Sequence, residues 1–325
     1  FRGTKTHQSY TLIELSKKYG PVFTLWIGPK PYVFILNLEL AKEAFNRSEL
    51  SGRPDSFFGK IVWYHQLKQY LSRCFSINRK YSITDKLVYL VSDVVDDTIK
   101  LIIDREGVEK HFDPYVYIYH LFLNIMAASV FGKKYDIESP EFKKLNYIFH
   151  DFFKDLTTRL SIVEFVPIMR FIDRSIVKRR EEYMAETKDL VQTKFLSHYQ
   201  DFNESIVRDF CDALIQAKNE ALAEGKESAP YLNDDNLTMV LWDIFIAGVD
   251  TTHNTFKWLL LLLANDQNIQ NKLRQEIETQ IGDRMPVQED RNNCHYIMAY
   301  ISETMRYRLV VPMGMFHKAV VNTTI

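Results

Sequence analysis

Long apolar runs are missing from this sequence. The longest aliphatic stretch, Trp258 to Ala264, falls well short of the roughly 20 residues that a membrane-spanning helix requires. Residue 1 opens no signal peptide, so nothing in the sequence as read is expected to cross a bilayer. Cysteine is scarce as well. Cys74, Cys211 and Cys294 are the only three, with no C-x-x-C spacing, which argues against a disulfide framework or a thiolate zinc site and fits a reducing compartment. There is no excess of charge of one sign. Lysine and arginine total 41 against 42 acidic residues, so no whole-molecule field draws in a phosphate backbone, and nucleic acid is not an expected partner. The densest basic run, Lys178-Arg179-Arg180, is followed at once by Glu181 and Glu182. It reads as a solvated helix face or loop, or as a contact for anionic lipid or protein. Also absent are H-E-x-x-H, G-x-G-x-x-G, G-x-S-x-G and a Walker-type lysine loop, which removes the usual support for zinc hydrolases, dinucleotide folds, serine hydrolases and P-loop enzymes.

What is present describes a chain built to fold. Its 325 residues are 46% hydrophobic and 26% charged, enough to bury a large core and far from a disordered composition. Val22 to Ile27 is rich in strand formers, Gly28-Pro29-Lys30-Pro31 breaks the run, and Tyr32 to Leu36 resumes it. That pattern predicts a hairpin, with sheet confined to the region near the start. Helix formers take over from Leu38 and dominate to about residue 310.

Between Asp85 and Glu106, Leu87, Leu90, Val91, Val94, Val95, Ile99 and Ile102 recur at three- and four-residue steps, and Gly107 closes the helix they predict. A second helix is expected from Asp113-Pro114 to near Gly132, an acidic cap followed by a proline that fits the first turn. The middle third carries Phe149, Phe152, Phe153, Phe165, Phe171, Phe195, Phe202 and Phe210, either as core or as the lining of an apolar ligand cavity. Asp234-Asp235 precedes a long apolar helix from about Leu237 to Ala264. Ile269, Leu273, Ile277 and Ile281 mark an amphipathic neighbour stopped by Gly282. A third, from about Asn293, carries Ile297, Ile301 and Met305 on one face and ends before Pro312. With no repeat or linker, one mostly helical domain is the expected organisation.

Two short motifs stand out as chemically interesting. Ala247-Gly248-Val249-Asp250-Thr251-Thr252 puts a glycine and two poor helix formers mid-helix, where glycine costs about 1 kcal/mol relative to alanine. On one reading, Gly248 lets a flat ligand approach the backbone and Thr251 bonds back to a carbonyl, opening the helix beside an ionisable Asp250. On the other, Ala247 and Gly248 serve close helix packing, Asp250 is exposed and the threonines are simply back-bonded. Glu303 and Arg306 lie three apart on the last helix, either as a surface pair or, with Ile301 and Met305 buried beside them, as a partly buried one.

Taken in order, these segments resemble the microsomal cytochromes P450, and most closely the drug- and lipid-oxidising group called family 2. Tyr19 to Gly28 resembles the family's first strand, Pro31 to Leu36 its second, and Ser51-Gly52-Arg53-Pro54 the stretch that follows. Phe131 to Asp136 and Arg208 to Asp212 are similar to further family segments. Ala247 to Thr252 resembles the oxygen-activation motif and Glu303-Thr304-Met305-Arg306 the E-x-x-R motif, with Asp290-Arg291 and Tyr296 before the latter.

The resemblance implies a mainly α P450 fold, a helical bundle with a small N-terminal β-sheet, present as a single incomplete domain over 1-325, β-rich at about 19-36 and helical over 38-310. It implies that Asp250 and Thr251 organise water and deliver protons to the oxygen being activated, and that Ala247 and Gly248 leave room beside haem b. Glu303 and Arg306 would hold the core on the haem side. Arg73, in the register that sets Gln69 at the family's tryptophan, would meet a haem propionate; Trp63 is nearby in the wrong register. His317 would meet a propionate too, or else be a surface histidine. Val310, Val311 and Met313 would face substrate.

The haem thiolate of the family comes from F-x-x-G-x-R-x-C-x-G, downstream of E-x-x-R and expected beyond Ile325, as the anchor is expected before residue 1. None of Cys74, Cys211 and Cys294 matches that loop. The implied parent is a monooxygenase at the endoplasmic reticulum membrane that takes a lipophilic substrate and electrons from NADPH-cytochrome reductase. The 325 residues alone are expected to be inactive, and a truncated, non-catalytic helical binding protein is the alternative.

Overall fold

The structure is a computed structural model that describes residues 8–52, 54, 85–156, 163, 166, 168–312, 314 and 316–324. Among them, the elements run α1 (Gln8–Tyr19), β1 (Val22–Ile27), β2 (Lys30–Ile35), α2 (Leu38–Asn46), α3 (Asp85–Glu106), α4 (Tyr115–Phe131), α5 (Pro140–Leu156), the single turn α6 (Met169–Ile172), α7 (Arg174–His198), α8 (Phe210–Ala223), α9 (Asp234–Asn265), α10 (Gln267–Gln280) and α11 (His295–Tyr307). The fold is mainly α with a small antiparallel sheet near the start, as the sequence pattern predicts. Its hairpin pairs Val22 with Ile35 and Ile27 with Lys30. Gly28 turns it at φ 60°, in the left-handed region that residues with a Cβ rarely adopt.

Chain contacts group into two compact units, one of described residues within Phe1–Lys68, Phe152–Met184 and Val311–Ile325, the other within Gln69–Asp151 and Ala185–Val310. In the first, Asn37 caps α2 by accepting the Leu40 N–H at 2.9 Å. Lys318 donates its backbone N–H to Gly52 at 2.6 Å, and Val320 to Glu49 at 2.8 Å. Phe171 and Ile172 are exposed here.

The second unit holds α9 and the helices packed on it. The predicted stops act as written, Gly107 and Gly132 ending α3 and α4 at φ 75° and 62°, while α4 starts later than written, with Pro114 as its N-cap rather than in its first turn. The Asp113 carboxylate accepts the Tyr115 N–H at 2.9 Å. α4 packs along α9, Phe131 meeting Phe245 with ring centroids 5.2 Å apart, and Phe149 of α5 reaches the same ring at 5.6 Å. Phe245, Leu241, Leu237 and Val249 are fully enclosed, each such side chain contributing about 1.5–3 kcal/mol when taken out of water. Phe149, Phe195 and Phe210 are buried, which makes them core. Phe152, Phe153 and Phe165 have side chains outside the described residues. The Trp242 indole donates to Thr187 Oγ1 at 2.9 Å, tying α7 to α9.

Two expected apolar faces are less buried than their spacing suggests. On α10 Leu273 is buried while Ile277 is 42% exposed, and on α11 Ile297 and Ile301 are half-buried while Met305 is 44% exposed. The basic run sits on α7 with Lys178 and Arg179 exposed, Lys178 facing Glu182 at 3.6 Å. It is a solvated helix face. Among the described residues no helix is long and apolar enough to cross a membrane.

Candidate functional site: the middle of helix α9

The long helix begins cleanly because Asn233 accepts the Asn236 N–H at 2.9 Å and Asp234 and Asp235 lie in the first turn, where a helix N-terminus favours negative charge. Seventeen residues along, Thr251 Oγ1 donates to the Ala247 carbonyl at 2.6 Å. Thr255 Oγ1 does the same to Thr251 at 2.8 Å, and Asn254 Nδ2 to Asp250 at 2.9 Å. The back-bond expected of Thr251 is therefore made. It does not open the helix, which runs unbroken from Asp234 to Asn265.

Helical geometry sorts the motif into faces. Trp242, Phe245, Ile246, Val249 and His253 form the buried side. At 100° per residue, Ala247 and Thr251 point the opposite way, and they are exposed and half-buried. Gly248 lies between. A Cβ there would stand 2.6 Å from both Sδ and Cε of Met126 on α4, so the room that this glycine leaves is filled by a neighbouring helix. Close packing describes Gly248, while on the side away from the core Ala247 is exposed and Thr251 half-buried.

Asp250 is half-buried at the edge of the α4 interface. Burial raises the phenol pKa of Tyr115 and Tyr119, and the negative charge of Asp250 raises both further. His253, three residues on, sits with its ring 5.2 Å from each of these tyrosines.

α11 packs against α9 one to two turns beyond the motif. There the Tyr300 hydroxyl donates to the Leu259 carbonyl at 2.5 Å, and the Arg308 guanidinium lies 4.8 Å from the Trp258 ring. Glu303 and Arg306 form a bidentate pair, at 2.7 and 2.6 Å, which lowers the Glu303 pKa. The side chains are 61% and 71% exposed, so of the two alternatives the sequence left open the pair is the surface one.

The remaining sequence-predicted residues fall elsewhere. Val310 is half-buried just after α11, in the second unit; Val311 is exposed and belongs to the first. In that first unit, His317 Nδ1 lies 3.0 Å from the Leu50 carbonyl and its ring 5.0 Å from Phe45. Arg73 and Met313, like Trp63, Gln69 and Cys74, lie outside the described residues.

Sequence reasoning missed three groups. Asp243, one turn before Ala247, has an enclosed Oδ2 with no hydrogen-bond partner among the described residues, and burial pushes its carboxyl up to about 8. A lone acid among Leu241, Trp242, Ile244 and Phe245 was the available signal. His253 is buried with both ring nitrogens likewise unpartnered, and burial, then Lys257, lowers it to about 4. Glu276 of α10 accepts the N–H groups of Tyr296 at 2.9 Å and Ile297 at 2.8 Å, capping α11 from another helix.

Neither described cysteine is prepared to ligate iron. Cys211 and Cys294 are buried, and burial together with neighbouring carboxylates raises both thiols, whereas a metal needs the thiolate. His198, Asp209 and Cys211 could offer ligand atoms within 4.8 Å of one another. Both imidazole nitrogens are already engaged, at 2.8 Å to the Lys194 carbonyl and 2.8 Å to Asp209. Burial opposes protonation of His198, and these acceptors outweigh it and raise its pKa. The group is a hydrogen-bonded pair joining the end of α7 to the cap of α8.

The profile of the cytochrome P450 family matches this chain over residues 1–325. The chain belongs to that family. It is 27% identical to Cytochrome P450 1A1 of Rattus norvegicus over 99% of its own length, which spans 65% of that relative. It is 28% identical to Cytochrome P450 1A2 of Mus musculus over 99% of the chain and 66% of the relative. With Cytochrome P450 1A5 of Gallus gallus it shares 28% identity over 97% of the chain and 63% of the relative. The chain thus spans just under two thirds of the rat relative it matches. These relatives carry the 1A designation while the motifs resemble family 2; the family match places the chain among the P450s, and identities of this size choose no subdivision.

Proposed function

We propose that the protein to which these residues belong is a haem-thiolate monooxygenase that inserts one oxygen atom from O2 into a lipophilic substrate. The observation that carries this reading is the wall of α9 where Ala247, exposed, and Thr251, half-buried, face away from the core in a P450-family chain. That wall fits one face of a flat group. Haem b, when bound, would supply the redox chemistry of oxygen activation.

This chain's own residues contribute shape and protons. Ala247 has a side chain small enough to let a ring approach the helix. Thr251, its hydroxyl hydrogen committed to the Ala247 carbonyl at 2.6 Å, turns its oxygen lone pairs outward and can hold a water by accepting a hydrogen bond. Asp250, beside it in sequence, can exchange a proton with that water. Gly248 acts on the other side, letting α4 approach closely enough to hold the wall in place. Glu303 and Arg306, paired on α11, would hold the haem side of the core, and Arg73 and His317 would pair with propionates. Val310, Val311 and Met313 would contact substrate.

Both compact units are read as parts of one P450 domain, because the family match runs unbroken across 1–325. NADPH-cytochrome reductase as electron donor and the endoplasmic reticulum membrane as location follow from the resemblance to the microsomal enzymes. A second reading, in which the 325 residues act as a non-catalytic helical binding protein, is favoured by one observation: the two described thiols are buried and held protonated.

A reduced carbon monoxide difference spectrum of the full-length protein separates the two. A thiolate-type band that survives Thr251→Ala, with loss of coupled product formation in that variant, supports the monooxygenase. Absence of such a band in the haem-loaded full-length protein sinks it.

A further inference from the structure

Both ring nitrogens of His198 point at hydrogen-bond acceptors. Nδ1 lies 2.8 Å from the Lys194 carbonyl and Nε2 lies 2.8 Å from Oδ2 of Asp209. Neither a carbonyl nor a carboxylate can donate, and a neutral imidazole carries a single N–H. Each neutral tautomer would therefore leave a nitrogen lone pair facing an oxygen at hydrogen-bond distance. One extra proton removes the conflict, giving an imidazolium that donates on both sides. The two acceptors are fixed in place. Asp209 is 2% exposed, its Oδ1 accepts the Asp212 N–H at 3.0 Å, and its Oδ2 lies against the end of α4, where a Cβ on Gly132 would stand 2.8 Å away.

The contact sits at the neck of a loop. Residues 199–208 leave the end of α7 and return to α8, and Tyr199 to Asp201 and Asn203 to Ile206 are exposed. Hydrogen bonds at the tip are local, from the Ser205 N–H to Asn203 Oδ1 at 2.9 Å and from the Ile206 N–H to the Asn203 carbonyl at 3.0 Å. Such a segment opens at little cost unless its neck is held. Other charges surround the neck from every side. Arg208 binds Asp201 of the loop at 2.9 Å and Asp212 of α8 at 2.7 Å. The Lys194 ammonium of α7 and that of Lys133, just after α4, each lie 5.2 Å from the Tyr135 ring, and Cys211 of α8 stays protonated. Burial opposes a charge on His198, and Asp209, the Lys194 carbonyl and Asp212 outweigh it.

We propose that His198 and Asp209 form a proton-operated clasp: while the proton between them is present the neck of the 199–208 loop is closed, and its loss releases the loop from the end of α7 with the helices intact. The sign follows from the acceptors. Folding raises the affinity of His198 for its proton, so closure is complete below the ordinary imidazole value of about 6.5 and is lost as pH rises through the higher folded value. The clasp goes beyond the catalytic reading and stands without it.

Hydrogen exchange of the full-length protein at pH 6 and pH 9, corrected for the intrinsic effect of pH on exchange, tests the clasp on the parent alone. Amides 199–208 should lose protection by roughly 10- to 100-fold at the higher pH, the size of losing one hydrogen bond to a charged group, while those in the middle of α9 hold. A loop equally protected at both values overturns the proposal. His198→Gln cannot carry the charge, so its loop should exchange fast at both pH values; a pH response of parental size in that variant overturns the assignment to His198. The imidazole nitrogen shifts of histidine-labelled protein give a second readout. The signal absent from His198→Gln should report both nitrogens protonated at pH 6.5, and a neutral ring there would sink the idea. Should His198→Gln fail to fold, the exchange comparison on the parent decides.

Discussion

Asp243 places a carboxyl where its charge has poor company, and this gives the protein a pH dependence that can be worked out in sign. Its folded pKa is about 8, against roughly 3.9 in an unfolded chain. Between those values the folded state holds the proton more tightly, so stability falls as pH rises from about 4 to 8. His253 acts in the opposite sense lower down: its folded value of about 4 lies below the unfolded value of about 6.5, so stability is lost as pH falls through that window. From about 6.5 to 8, Asp243 is the one of these two that titrates. Urea unfolding at pH 6.5 and 8 should therefore show the parent losing stability as pH rises. Asp243→Asn should flatten that slope and gain on the order of a few kcal/mol at most at pH 8, at about 1.4 kcal/mol per pKa unit. An equal slope in the variant would assign the dependence to another group. At this scale the sequence was partly legible: the Thr251 back-bond follows from a threonine within a helix. The partner of Gly248 does not, because a glycine shows that space is needed without naming what fills it.

Elements were legible where one residue type forces a boundary. Gly107 and Gly132 terminate helices by adopting positive φ, and Asp113 caps because its carboxylate reaches an N–H two residues on. Boundaries made by distant partners leave no such trace. Glu276 caps α11 from twenty residues upstream of Tyr296. Glu276→Ala should cost about 1–2 kcal/mol, the size of losing a good N-terminal cap. Glu276→Gln should cost less, since its one carbonyl oxygen can still accept. Hydrogen exchange checks this, with faster exchange expected at the Tyr296 and Ile297 amides and little change in α4. The α4–α9 contact makes a second prediction. Gly248→Val should destabilise by about 1–3 kcal/mol through overpacking on Met126. Met126→Ala should offset part of that in the double variant, a coupling of at least about 0.5 kcal/mol by denaturant unfolding. Additive costs would mean that the two side chains do not compete for one space.

At the scale of the molecule, the mainly α class and the hairpin near the start could be read from periodicity and punctuation. The two compact units could not, because each gathers segments far apart in the chain and only tertiary contacts reveal such grouping. The order of motifs pointed to the P450 family, yet the environment of the cysteines needed the structure. Cys211 is fully enclosed on α8 beside Asp209 and Asp212, and Cys294 is 3% exposed near Glu276 and Asp290. Converting either to a thiolate would place a new negative charge next to carboxylates and away from water, opposing metal ligation on both counts. Haem added to residues 1–325 alone should accordingly give weak binding without a thiolate-type carbon monoxide spectrum, and Cys211→Ser and Cys294→Ser should leave that outcome unchanged. A thiolate-type band in the 325-residue protein that vanished with either substitution would overturn the electrostatic argument. A band that survived both would direct attention to Cys74.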